Sequence, residues 1–335
     1  MKIGVLGPVS WRTPPRHYGA WESVTHNLTE GLVARGHDVT LFATQDSITT
    51  ARLHAVCPRP YSEDSEIDPN VWVPLHISEA MEMAPEFDVL HSHQDFLPLT
   101  YSRLIPTPLL TTVHGFSSEQ IKAIYYKYAD NPYVSISNAD RDPRLNYVAT
   151  VYNGIDLSEF TFRDNPTGDY LLYLGRFHPE KGVHLAIDVA HRAGIPLVIS
   201  GIQQDPIYWQ TEIEPHIDGQ QVRFVGPSTP EQRDVLMGNA LACLHLVTRP
   251  ERFGLTIVES LACGTPVIAM DLGSPRELLE DGVDGFLVTS VEEAVAAVKR
   301  VGTLDRAACR RLVGERFSVD IMVDNYIRVY ERLIR

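Results

Sequence analysis

The chain has 335 residues, of which 44% are apolar and 21% charged, and its formal net charge is −14. That length favours two domains of ordinary size, each able to bury a core. The acidic balance argues against a nucleic-acid partner and against electrostatic docking on an anionic membrane, yet leaves room for an anionic ligand held by local cations or a helix terminus. No apolar run is long enough to form an integral membrane segment, and the start MKIGVLG reads as a short strand and a glycine, not a secretory signal. A cytoplasmic location is therefore expected. Cys57, Cys243, Cys263 and Cys309 form no CxxC pair and read as buried reduced thiols, not a zinc site.

Taken in chain order, the candidate strands are 2–6, 39–43, 89–91, 109–113, 133–136 and 150–152. A second series follows at 170–174, 197–200, 222–225, 242–246, 267–269 and 285–288. Most are continuous apolar runs, as expected of parallel strands covered on both faces. Helical stretches separate them. In 22–35, Val24, Leu28 and Leu32 recur every four residues, and Gly36 stops the helix. The alternation predicts an α/β architecture of doubly wound sheets. The polar stretch DLSEFTFRDNPTGD at 156–169 reads as a linker. The expected domains are 1–160 and 165–317. The last helix, 318–335, carries Met322, Tyr326, Val329, Tyr330 and Leu333 on one face and needs a surface to cover. Either domain could supply it, and the first is expected to. A cleft between two Rossmann-like halves is the default ligand site.

The segment ERFGLTIVE, Glu251 to Glu259, carries the strongest chemical signal. Gly254 ends a turn and a helix begins near Leu255. Free amides at a helix start attract a phosphate, and a glycine there lets a ligand approach the backbone. The two carboxylates lie on either side of that terminus, and each can accept two hydroxyl hydrogen bonds. The competing reading leaves Glu251 solvated and pairs Glu259 with a lysine or arginine. Arg176 and Lys181, in GRFHPEKG, follow a strand; they are either surface cations or fixed charges for an anion. His114 follows strand 109–113 and should emerge at a carboxyl strand end, where open α/β sheets bind ligands. His91 and His93 alternate on a strand end and share a face. They are read as structural or cleft-lining, with a metal pair as the alternative. Asn153 reads as a turn residue and Glu277 as part of a helix start. No DxD lies in a context suggesting a metal site, so no metal and no cofactor are expected.

Two glutamates separated by seven residues, with FGL inside and SLACGTPVIA after, resemble the signature of family 4 glycosyltransferases. These are retaining, generally metal-independent enzymes of the GT-B fold, with two Rossmann-like domains facing across a cleft. The resemblance runs through most of the chain: YGAWE at 18–22, LVARGHDVTLF, DVLHSH, TTVHG, SISNA, VYNGID, YLLYLGRFHPEKG and GSPRELLEDGVDGFLV follow in the family's order. It implies transfer of a hexose from a nucleoside-diphosphate sugar to a small-molecule, glycan or lipid acceptor. It implies that Arg176 and Lys181 contact the donor diphosphate, with Gly19 in the first loop beside it. Phe253, Gly254, Leu255 and Thr256 would line the donor site, Glu251 and His114 would position the sugar, and Glu259 would hold the ribose. The chain departs from the family in having Gly19-Ala20 for the frequent glycine pair and Arg252 for the usual proline.

Within that family the chain resembles a subgroup labelled UDP-glucose:tetrahydrobiopterin glucosyltransferase, and the resemblance implies UDP-glucose as the first expected donor and GDP-mannose as the second. The competing functions are a nucleotide-sugar 2-epimerase-like isomerase on the same fold and a non-catalytic nucleotide-sugar-binding protein. A dinucleotide oxidoreductase is disfavoured because no GxGxxG follows strand 2–6.

Overall fold

The computed structural model describes residues 1–17 and 19–334; Tyr18, the first residue of YGAWE, and Arg335 lie outside the described residues. The chain divides into two compact units, one formed by Met1–Ile155 with Val319–Arg335, the other by Asp156–Ser318.

The first unit is built on strands β1 (Lys2–Leu6), β2 (Asp38–Phe42), β3 (Arg52–His54), β4 (Val89–Ser92), β5 (Leu109–Val113), β6 (Tyr133–Ser135) and β7 (Tyr147–Thr150). Helices α1 (Ala20–Ala34), α2 (Pro69–Glu82) and α3 (Lys122–Lys127) connect them. The sheet order is β3-β2-β1-β4-β5-β6-β7, and every pairing is parallel. Central strands are largely buried, including all five residues of β5, which explains their mostly apolar sequences. Two strands differ from the sequence reading. The short edge strand β3, RLH, carries no apolar run and was not expected. β7 lies three residues earlier than 150–152, because YVATVY is uniformly strand-like and pairing with β6 sets its limits.

The second unit contains β8 (Leu171–Leu174), β9 (Leu197–Ser200), β10 (Val222–Phe224), β11 (Ala242–His245), β12 (Val267–Met270) and β13 (Gly285–Val288). Its helices are α4 (Val183–Ala193), α5 (Pro206–Tyr208), α6 (Pro230–Asn239), α7 (Leu255–Ala262), α8 (Pro275–Leu278), α9 (Val291–Val298) and α10 (Arg306–Arg316). The order β10-β9-β8-β11-β12-β13 is again all parallel. Local sequence sets the helix starts. Thr229 and Gln232 form a reciprocal capping box ahead of α6, and Ser290 caps α9. The polar stretch 156–169 is not a free linker. Asp234 on α6 accepts from the Thr161 amide at 2.6 Å and from Arg163 at 3.0 Å, while Arg310 on α10 donates to the Leu157 and Phe160 carbonyls. Its polarity reflects these bonds.

The last helix, α11 (Val319–Leu333), returns to the first unit and packs on α1. Gly31 permits the approach, since a Cβ there would lie 2.4 Å from a Val323 methyl. Arg35, just past the end of α1, also pairs with Asp320 and Asp324.

Both sheets reverse their winding order once, between β1 and β4 and between β8 and β11. In open α/β sheets a ligand binds at the carboxyl ends beside such a switch point. The loops leaving β1, β4, β8 and β11 are therefore the ones to inspect for chemistry.

Candidate active site

In the second unit, the loop after β8 carries Arg176 and Lys181. Phe177 anchors it by stacking on Trp209, with ring centroids 5.2 Å apart. Arg176 donates to the Gln204 side chain at 2.5 Å. The turn that holds Lys181 ends at Gly182, whose φ is 67° and where a Cβ would sit 1.8 Å from the Leu246 carbonyl oxygen. Only glycine fits there, and the contact seats Lys181 against the loop leaving β11. Thr248 strengthens the seam: its amide donates to the Glu180 carbonyl and its hydroxyl to the Pro179 carbonyl.

That second loop runs from Leu246 to Gly254, directly after His245 at the end of β11. Glu251 is held by its backbone, whose amide donates to Leu272 and whose carbonyl accepts from Ser274. Its Oε2 accepts from Lys181 Nζ at 2.6 Å and from His245 Nε2 at 3.0 Å. The Glu251 side chain is 10% exposed and that of Lys181 28%. Burial pushes the Glu251 carboxyl up. The His245 hydrogen bond and the charges of His245 and Lys181 outweigh that, and the carboxyl lies well below its usual range. Glu251 is thus an ionised, partly dehydrated acceptor beside a cation. His245 belongs to this cluster although sequence reasoning passed over it inside the apolar run of β11. The available signal was a histidine at a carboxyl strand end, six residues before Glu251.

Gly254, with φ of 91°, opens α7, and Leu255 and Thr256 supply the first-turn amides. Phe253 turns its ring into the core, 3% exposed and edge-on to Phe317. What it can offer a ligand is its main chain. Glu259 lies in α7 with its carboxylate 3.7 Å from Arg233 on α6, the pairing weighed above as the alternative. Glu277 lies in the first turn of α8.

In the first unit, Gly19 precedes α1 with φ of 152°. Glu22, in the first turn of that helix, is buried and accepts from the Ser10 hydroxyl at 2.6 Å and the Trp11 amide at 3.1 Å, tying the loop after β1 to α1. Burial raises its carboxyl. His114 leaves the end of β5 and stacks on Trp21 of α1 at 5.2 Å. One of its ring nitrogens, Nε2, lies 3.0 Å from His93 Nδ1. His91 is engaged elsewhere, bonding Tyr330 at 2.7 Å and Thr112 at 2.8 Å. Burial lowers His91 and His114 to about 3 and His93 well below its ordinary value, so all three are neutral at pH 7. Asn153 is buried near the end of this unit. Among the described residues no group of three or more His, Cys, Asp or Glu side chains could hold a metal ion, and no helix is long and apolar enough to cross a membrane.

A family model described as "Glycosyl transferases group 1" matches residues 156–312, and one described as "Glycosyltransferase Family 4" matches residues 21–159. The glycogen synthase of Mycobacterium tuberculosis is 28% identical, over 90% of this chain and 87% of its own length. The phosphatidyl-myo-inositol mannosyltransferase of Mycobacterium leprae is 23% identical, over 99% of this chain and 96% of its own. Among solved structures, Anabaena HepE in complex with UDP-glucose superposes with a TM-score of 0.74 at 19% identity, covering 99% of this chain and 100% of that one.

Proposed function

Because the chain is a GT-B glycosyltransferase of the group 1 and family 4 type, with two Rossmann-like parallel-sheet domains that transfer sugar from a nucleotide sugar, we propose that it moves a hexose with retention of anomeric configuration and without a metal. UDP-glucose is the proposed donor, ahead of GDP-mannose. The likeness to a fold solved with UDP-glucose is consistent with that order.

The observation that carries this reading is the cluster of Lys181, His245 and Glu251 at the switch point of the second sheet, next to the start of α7. Breaking the bond between the sugar C1 and its phosphate oxygen leaves the electron pair on the diphosphate. Arg176, Lys181 and the amides of Gly254, Leu255 and Thr256 stabilise that charge. An ionised Glu251 accepts hydrogen bonds from sugar hydroxyls, His114 contacts the sugar, Gly19 lies by the phosphates, and Glu259 holds the ribose. The acceptor hydroxyl attacks the same face of the sugar that the leaving group vacates, and its proton passes to the departing phosphate.

The test is an NMR time course with UDP-glucose and an acceptor panel. Release of UDP with a retained-anomer product supports the reading. A new epimer formed without acceptor would assign an isomerase instead, and tight binding with neither hydrolysis nor transfer would assign a binding protein.

A further inference from the structure

The notable feature outside the donor cluster is a set of buried rings at the carboxyl ends of β4 and β5. His93 is 0% exposed, and its Nε2 has no hydrogen-bond partner. Its Nδ1 meets His114 Nε2. A buried N–H left without an acceptor is rarer than a buried acceptor left without a donor, because the donor loses its hydrogen bond to water outright. The proton of neutral His93 therefore sits on Nδ1, donating to His114 Nε2. His114 Nε2 must then be bare, and the His114 proton sits on Nδ1.

The surroundings leave no competing arrangement. His91 lies beside His93, with ring centroids 4.3 Å apart, but both its nitrogens are taken by Tyr330 and Thr112. Thr112 is itself bonded to Tyr326 at 2.8 Å, so two tyrosines of α11 hold the His91 ring in place. Trp21 fixes the plane of His114.

We propose that His93 is a positioning residue that holds His114 in its Nδ1–H form, so that His114 presents a fixed hydrogen-bond donor to an oxygen of the transferred sugar. This rests on the reading that His114 contacts the sugar. A neutral donor of fixed tautomer can tell a hydroxyl oxygen from a cationic or donor-only group, and it needs no reorganisation when the sugar arrives.

The experiment uses the full chain with 15N-labelled histidine and long-range proton–nitrogen correlation, the His114 signals being identified by their loss in His114→Gln. The wild type is expected to show a protonated Nδ1 and a bare Nε2 at His114. His93→Leu should convert His114 to the other tautomer or a mixture and lower kcat/KM for the donor by about tenfold. His93→Asn, whose amide nitrogen takes the place of Nδ1, should restore both. A wild-type His114 carrying its proton on Nε2 overturns the inference without any variant, as does an unchanged tautomer in His93→Leu. A changed tautomer with unchanged kinetics overturns instead the sugar contact on which the inference rests.

Discussion

Replacing Glu251 with glutamine removes one charge from a nearly buried site at almost constant volume. Lys181 and His245 then face an amide, which keeps one acceptor oxygen. Hydrogen bonds to charged groups contribute about 1.5–3 kcal/mol each. Lys181 can turn to water, so part of that is recovered, and the expected net loss is about 2 kcal/mol. For a unit the size of Asp156–Ser318 this corresponds to a fall in Tm of about 4–8 °C. The pH dependence has a definite sign. The folded carboxyl lies below its ordinary value of 4.5, so its contribution is fully present above that value and is lost as pH falls through the folded one. The gap between wild type and Glu251→Gln should be full at pH 7 and narrow from about pH 5 towards about pH 3. Calorimetry of both proteins across that range measures it. Equal stability at pH 7, or a gap that widens in acid, would refute the ionised and stabilised Glu251.

Gly182→Ala places a Cβ where the Leu246 carbonyl lies and forces a left-handed alanine, so it should cost about 3 kcal/mol or more in chemical denaturation and raise the donor KM; wild-type stability would contradict the seam. Burial pushes the Cys243, Cys263 and Cys309 thiols up to about 12, so they should resist a thiol reagent at about pH 8 until denaturant is added. Rapid labelling of the native protein would show those sites to be open.

Much of the fold was legible because strands buried on both faces are mostly apolar, as in β5 and β9. The edge strand β3 was not legible, since RLH carries no apolar run and its contacts, with β2 and with Glu79 of α2, are distant in sequence. The stretch 156–169 looked like a linker because its polar groups bond to partners as distant in sequence as Asp234 and Arg310. Of the Lys181–His245–Glu251 cluster, Lys181 and Glu251 stood out in the sequence as charged residues after strands, whereas His245 joins them only when β11 lies beside β8. The histidines were visible singly. Their pairing was hidden, because which nitrogen of His93 meets His114 depends on the packing between neighbouring strands.

Binding of the donor diphosphate beside Lys181 and the start of α7 is tested by thermal unfolding with and without UDP. At a hundredfold excess over its Kd, UDP should stabilise the wild type by about 2.7 kcal/mol. The same concentration should leave Lys181→Ala, folded but less stable without its Glu251 contact, almost unshifted relative to its own UDP-free Tm. An equal shift in both proteins would contradict the account.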